Sequence, residues 1–288
     1  MNILVLGGTR FFGLHIVRSL LKRGHKVTIA TRGNKEDEFG TSVNRIHVDH
    51  LNAQDMKQTF ENHHYDVVYD NICYCSNDLR AVLEAVSCDR FILMSTTAVY
   101  DLHNCTIEED YKPEEKELIW CDREAFPYGE VKRLAECVLR KQYGQQNAVA
   151  VRYPFVIGKD DYTERLKFYV EHVMKEIPMN VDNLDNQMSF ISSYEAGDFL
   201  AYLADQEYTG AINGCNEGTI SLHEIISYVE DKTGKKAQYS FEGDEAPYNG
   251  TPEYSINTQK ARNSGYTFTN LKDWIYELID FYMEDLNK

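Results

Sequence analysis

MNILVLGGTRFFGLHIVRSLLKRG occupies residues 1–24. The apolar run Ile3 to Leu6 predicts a strand buried on both faces. Leu14, Val17, Leu20 and Leu21 then fall on one helical stripe, and Gly24 stands where a helix stops. Between strand and helix lies GGTRFFG, residues 7–13. Glycines there permit a tight turn and bring backbone N–H groups close to a phosphate. The positive end of the following helix adds to the attraction. Strand, glycine loop and helix in this order assign Gly7, Gly8, Thr9, Arg10, Phe11, Phe12 and Gly13 to the binding of a dinucleotide.

The alternation continues outward from this unit. HKVTIAT (25–31), RIHVDH (45–50), DVVYDNI (66–72), RFILMST (90–96) and AVAVRYPFVI (148–157) read as strands. DMKQTFENH (55–63), DLRAVLEAV (78–86) and PYGEVKRLAECVLRKQYG (127–144) read as the helices between them. Strands separated by helices imply crossovers and a parallel sheet. The predicted fold is therefore α/β, a doubly wound (Rossmann-type) sheet that binds its ligand at the carboxyl ends of the strands. The regularity weakens after about residue 155. KFYVEHVMKEI (167–177) and SLHEIISYVEDKTG (221–234) are helical, the second with Ile225, Ile226 and Val229 inward. The expected division is 1–155 for the dinucleotide-binding domain and 156–288 for a substrate lobe with segments returning to the main sheet.

The chain has 288 residues and a formal net charge of −16. Such a field repels phosphate backbones, and the basic patches, Lys22-Arg23 and Lys235-Lys236, are short, so no nucleic-acid partner is expected. The acidic IEEDYKPEEKE (107–117) reads as a solvated surface loop. No apolar run is long enough for a membrane span, and Ile3 to Leu6 is too short for a signal peptide. Seven cysteines without framework spacing point to a reducing compartment, so the expected localisation is cytoplasmic. Cys73 and Cys75 lack the further ligands a zinc site needs; they are expected to be buried, with no metal. His63-His64 falls in a polar turn and is expected at the surface.

Tyr128 and Lys132 in PYGEVK stand four apart, on one helix face. A tyrosine ordinarily ionises near pH 10; an ammonium nearby favours the phenolate and makes it a usable acid/base. The spacing alone is weak in a chain with 20 tyrosines, and Tyr228 and Lys232 repeat it. Context separates the pairs. Upstream of Tyr128 lie the glycine loop and a strand ending in Ser95, Thr96 and Thr97; the Tyr228 helix follows neither. At the end of the second strand, an NAD-preferring site carries an acid for the ribose 2′-hydroxyl. Here Thr31 and Arg32 stand there. Arg32, with Arg10 in the loop, attracts an extra phosphate instead. NADP(H) is therefore preferred, with NAD(H) open.

The loop resembles the GxxGxxG fingerprint of the extended short-chain dehydrogenase/reductase superfamily, the NAD(P)-dependent epimerase/dehydratase group. Arg10 stands where the middle glycine is expected. GGTRFFG looks like the variant loop of one branch, which includes epimerase-like and plant-type RNA-associated proteins. The resemblance implies a Thr96/Tyr128/Lys132 triad, with Tyr100 ending the strand motif. It implies that Asp49 accepts from the adenine amino group and that Asn71 and Pro154 line the nicotinamide pocket. MSFISSYEAGDFL (188–200) resembles a later motif in which Glu195 replaces an aspartate; it is taken as structural. Nucleotide-sugar members carry an asparagine where this chain has Phe155. Dehydratases carry an acidic pair where Thr97 and Ala98 stand, so elimination of water is not expected. The implied activity is an NADP(H)-dependent oxidoreductase or epimerase acting on a nucleotide-sugar or small carbonyl compound. The alternatives are a non-catalytic NADP(H)-binding regulator and an RNA-associated protein. The family's four-helix contact, here Asp78–Val86 and Tyr128–Gln142, implies a homodimer, since Leu79, Val82, Leu83, Leu134 and Val138 exceed what one sheet face requires.

Overall fold

The structure, a computed structural model, describes residues 1–144 and 147–288. Its strands are β1 Asn2–Leu6, β2 Lys26–Thr31, β3 Asn44–His47, β4 His64–Asp70, β5 Ser87–Thr96, β6 Asn147–Tyr153, β7 Phe155–Ile157, β8 Pro178–Asn180, β9 Phe190–Ser192, β10 Gly210–Asn213, β11 Gln238–Tyr239 and β12 Asp244–Glu245. The helices are α1 Phe12–Lys22, α2 Ala53–Phe60, α3 Ser76–Ala85, α4 Tyr128–Gln142, α5 Arg165–Lys175, α6 Ser193–Leu203, α7 Leu222–Thr233, α8 Gln259–Asn263 and α9 Ile275–Leu286. Seven strands form one parallel sheet in the order β10-β6-β5-β4-β1-β2-β3. The chain order reverses beside β1, so the ends of β1 and β4 flank the crevice where such sheets bind ligands.

One face of the sheet packs on α1 and α6 through Ile16, Val17, Leu20, Phe199 and Leu200. Two buried hydroxyls fasten α6: Tyr69 donates to the Leu200 carbonyl at 2.8 Å and Tyr153 to that of Ala196 at 2.7 Å. The other face packs on α2, α3 and α4 through Met56, Phe60, Leu79, Val82 and Val138. Strand β10 and helix α6, both from residues after 156, join this sheet and its covering layer. A separate core joins α5, α7 and α9, with Ile225, Ile226 and Val229 fully inward. Ser221 and Glu224 cap α7 reciprocally.

Two expectations need correction. AVAVRYPFVI is two strands: β6 ends at Tyr153, and β7 pairs with β9 in a different sheet. Pro154 has no N–H to donate to the ladder, and the chain leaves the main sheet there. Residues 107–117 are not all solvated. Glu108 is buried and accepts from the Asn213 amide at 2.8 Å, beside the buried Arg152–Glu136 ion pair. Its carboxyl is raised by burial, the Asn213 amide opposing. Among the described residues no helix is long and apolar enough to cross a membrane.

Candidate functional site

At the carboxyl ends of β1, β2, β4 and β5 lies a cavity of about 510 Å³. The glycine loop forms one wall, contributing Gly7, Thr9, Arg10, Phe11, Phe12 and Gly13. Helix α1 begins hard against this loop. A Cβ on Gly13 would lie 2.5 Å from the Gly7 carbonyl oxygen, closer than real side chains come. Gly8 does not line the cavity; its α-carbon faces Val5, Val17 and Ile29. Phe11 has φ 52° and ψ −139°, a conformation L-residues rarely adopt.

The end of β2 supplies Thr31 and Arg32, with Asn34 and Lys35 beyond. Four cationic side chains, Arg10, Arg32, Lys35 and Lys132, therefore line the cavity, and none of its lining residues is a carboxylate. This contrasts with the −16 of the whole chain. The fixed positive charges and the loop amides suit a polyanion of dinucleotide size.

Asn71 follows β4 and lines the cavity. It is buried, and neither polar atom of its side chain has a hydrogen-bond partner among the described residues. Two unmet polar atoms at the wall of a cavity call for a ligand or water. The turn beneath is held by Asp70, which accepts from the amides of Ile72 at 3.1 Å and Cys73 at 2.9 Å. Burial pushes the Asp70 carboxyl up to about 6, with the Ile72 amide and Lys132 opposing.

Tyr128 and Lys132 start α4 and both line the cavity. Lys132 is buried, and its ammonium donates to the carbonyls of Cys73 at 2.7 Å and Met94 at 2.9 Å. Tyr128 is half exposed, with its ring edge-on to Tyr74 at 5.9 Å. Behind Tyr74, Arg123 stacks at 4.5 Å and is fixed by Asp78 at 2.8 Å. The Tyr74 hydroxyl is raised by burial first, then by Tyr128 and Tyr162. The second pair is occupied elsewhere: Tyr228 donates to Asp280 at 2.9 Å and Lys232 lies 3.7 Å from the same carboxylate, which ties α7 to α9.

Besides Gly8, three expected site residues stand outside the cavity lining. Thr96 caps a short turn, accepting from the Ala98 amide at 3.2 Å, and Met94 is the β5 residue that lines the cavity. Asp49 closes a turn by accepting from the Leu51 amide at 3.2 Å; its neighbour His50 lines the cavity. Burial, then Arg123, lowers the His50 pKa. Pro154 is buried at the break between β6 and β7. Cys73 and Cys75 are buried, and burial pushes the Cys75 thiol up to about 11. Glu195 is buried too, accepting from the Thr269 amide at 3.0 Å and from Asn216. His63 and His64 are exposed. Lys35, His50, Tyr74 and Tyr162 line the cavity without having been singled out. Lys35 and His50 could have been found just beyond their strands.

The sequence profile of the NAD dependent epimerase/dehydratase family matches residues 3–213. The chloroplast stem-loop binding protein of 41 kDa b of Arabidopsis thaliana is 26% identical over 275 residues, covering 83% of this chain and 70% of that protein. UDP-glucuronic acid 4-epimerase from Bacillus cereus, solved with UDP-glucuronic acid and NAD, superposes with a TM-score of 0.77 at 20% identity, over 99% of this chain and 100% of that one. UDP-glucose 4-epimerase from Thermus thermophilus, solved with NAD, gives 0.71 at 20% identity, over 98% and 99%. At such identities the two structures establish the shared fold.

Proposed function

The chain belongs to the NAD dependent epimerase/dehydratase family, and from that premise we propose that it is an NADP(H)-dependent oxidoreductase or epimerase of the extended short-chain type. Its substrate is a hydroxyl or carbonyl compound, either a nucleotide-sugar, as in the Bacillus cereus complex with UDP-glucuronic acid, or a smaller carbonyl. The observation that carries this reading is the cavity itself: four cations, no carboxylate, and Tyr128 and Lys132 at one wall. The close-packed glycine loop and the unmet polar atoms of Asn71 fit a dinucleotide.

The nicotinamide, when bound, supplies or accepts the hydride. Tyr128 exchanges the proton at the substrate oxygen. Lys132, held by the Cys73 and Met94 carbonyls, sets the local positive charge and holds the ribose. Thr96, just outside the lining, accepts from the Ala98 amide and keeps a hydroxyl proton to donate to a substrate that extends beyond the dinucleotide cavity. Arg32 takes the 2′-phosphate in place of the acid that would select NAD.

The test is a fluorescence titration with NADPH and NADH, followed by an absorbance screen against UDP-sugars and small carbonyls. NADPH should bind more tightly, and Arg32→Ala should reduce that preference by roughly tenfold or more, since a charge-assisted bond contributes about 1.5–3 kcal/mol. Equal affinities of the unmutated protein would refute the NADP(H) assignment. A second reading, RNA binding, draws on the name of the Arabidopsis relative. The −16 charge opposes it. Filter binding of a stem-loop RNA across a salt series should show no retention; retention that falls steeply with salt would favour the RNA reading.

A further inference from the structure

We infer that Tyr162, on the segment between β7 and α5, is a dinucleotide-binding residue that works with Arg10 as a clamp on the cofactor's diphosphate. The inference rests on the proposed identity of the cavity as a nicotinamide-dinucleotide site. Tyr162 belongs to the C-terminal half of the chain, yet it lines the cavity against the glycine loop. The Arg10 guanidinium lies over its ring, 5.3 Å from the centroid. Its edge meets Phe11 at 5.9 Å. Of the two loop residues it touches, Phe11 carries the positive φ of 52° and Arg10 precedes it.

Core packing does not explain this tyrosine, because it is 62% exposed. Its position is nevertheless fixed from both sides. Asp160 is held by His15 at 3.0 Å and by Ser193 at 2.6 Å. Asp161 accepts from the Thr163 amide at 2.9 Å and hydroxyl at 2.6 Å. The segment thus presents a large aromatic ring over the phosphate loop, beside residues held by hydrogen bonds.

The geometry of a guanidinium makes the pairing useful. A cation–π contact occupies its face, whereas its five N–H donors point outward in its plane. Arg10 has no ion-pair partner among the described residues. It can therefore stay on the Tyr162 ring and donate in-plane to phosphate oxygens at the same time. The ring excludes water from one side of that contact, and a charge-assisted bond gains strength there. Arg10 belongs to the glycine loop and faces Tyr162, whereas Arg32 follows β2. This assigns Arg10 to the diphosphate common to both cofactors and leaves the 2′-phosphate to Arg32.

The experiment measures NADPH and NADH affinity by fluorescence titration for the unmutated protein, Tyr162→Ala, Tyr162→Phe and Tyr194→Ala. Tyr194 is a similarly exposed tyrosine that meets His15 at 5.8 Å and does not line the cavity. Adenosine 2′-monophosphate, which lacks the diphosphate, is the control ligand for an intact site. Tyr162→Ala should weaken NADPH and NADH alike, by about fivefold to thirtyfold, the range of a cation–π contact that is partly desolvated. It should leave adenosine 2′-monophosphate binding unchanged. Tyr162→Phe and Tyr194→Ala should stay within about twofold for both cofactors, since the ring and not the hydroxyl carries the contact. Normal NADPH and NADH binding by Tyr162→Ala would overturn the inference, and so would a loss confined to NADPH. A loss of adenosine 2′-monophosphate binding as well would overturn it too, by showing damage beyond the diphosphate. If the unmutated protein bound neither cofactor, the reading of the cavity itself would fall.

Discussion

Tyr128 and Tyr228 offer a direct comparison between a cavity residue and a structural one. Each precedes a lysine by four positions, but only Tyr128 lines the cavity, whereas Tyr228 is hydrogen-bonded to Asp280. Tyr128→Phe should lower turnover by about 10²–10⁴-fold, the scale of a general acid/base contribution. Cofactor binding should survive, because the ring still packs against Tyr74. Tyr228→Phe should leave turnover within a fewfold. Loss of activity in the second variant and not the first, read in a coupled assay, would reverse the assignment. Asp70 gives a test by pH. Its carboxyl is raised from the ordinary 3.8 to about 6 by burial. The folded state therefore binds this proton more tightly than the unfolded chain. The stabilisation is fully present below the unfolded value and is lost as pH rises through about 6. The gap corresponds to about 3 kcal/mol. Asp70→Asn retains an oxygen for the Ile72 and Cys73 amides and removes the titration. Its urea midpoint should fall less than the unmutated protein's between pH 4.5 and 7.5; parallel curves would contradict the shift. The cavity positions of the loop residues other than Gly8, and of Arg32, Tyr128 and Lys132, were legible because strand, loop and helix place them locally. Tyr162 was not, since it reaches the glycine loop from about 150 positions away and no local pattern records that approach.

The start of α4 shows how an element carries a site. The helix begins against the turn that follows β5, and a Cβ on Gly129 would collide with the Ala98 carbonyl oxygen. The glycine in PYGEVK therefore sets how near Tyr128 and Lys132 come to the end of β5. Gly129→Ala forces the helix start outward. It should cost about 1–3 kcal/mol, as overpacking does, and lower turnover by moving Tyr128. Equilibrium urea unfolding reads the first effect, and a variant as stable as the parent would show that the turn yields. Helices α1 to α5 and α7 were legible from apolar spacing, α7 with its Ser221–Glu224 cap, whereas α8 and α9 carried no reading. Strand membership was less so. Val156 and Ile157 look like a continuation of Val149 and Val151, because apolar runs do not reveal which sheet they join. Pro154 is the available signal: besides the pocket position that the resemblance implies for it, its missing N–H marks a break in the ladder.

For the whole molecule, the surplus apolar surface on α3 and α4 proves to be covered within the chain. Leu79, Val82, Leu134 and Val138 are buried, and Leu83 is partly so. Residues 111–123 run across these helices. Tyr111 donates to the Arg133 carbonyl at 2.7 Å, and Lys116 pairs with Glu130 at 2.7 Å. Ser76 donates to the Ile119 carbonyl at 2.9 Å, and Arg80 stacks on Trp120 at 4.5 Å. Cys121 packs with Cys75, Val131 and Leu134. Leu79, Val82 and Val138 face the sheet core, and Leu134 lies under Cys121, a cover that the polar IEEDYKPEEKE and the residues after it do not announce. A dimer through this four-helix face would have to displace those contacts, and the exposed remainder of α3 is charged, with Arg80 and Glu84 outward. A stable interface usually buries about 800 Å² per partner around an apolar centre. That centre is already filled, so light scattering at micromolar concentration should return the one-chain mass of 33.4 kDa. If a dimer mass appeared, cysteines placed at Arg80 and Glu84 would decide its route. Cross-linking between copies at those positions would show that residues 111–123 move aside, and its absence would place the contact on another face.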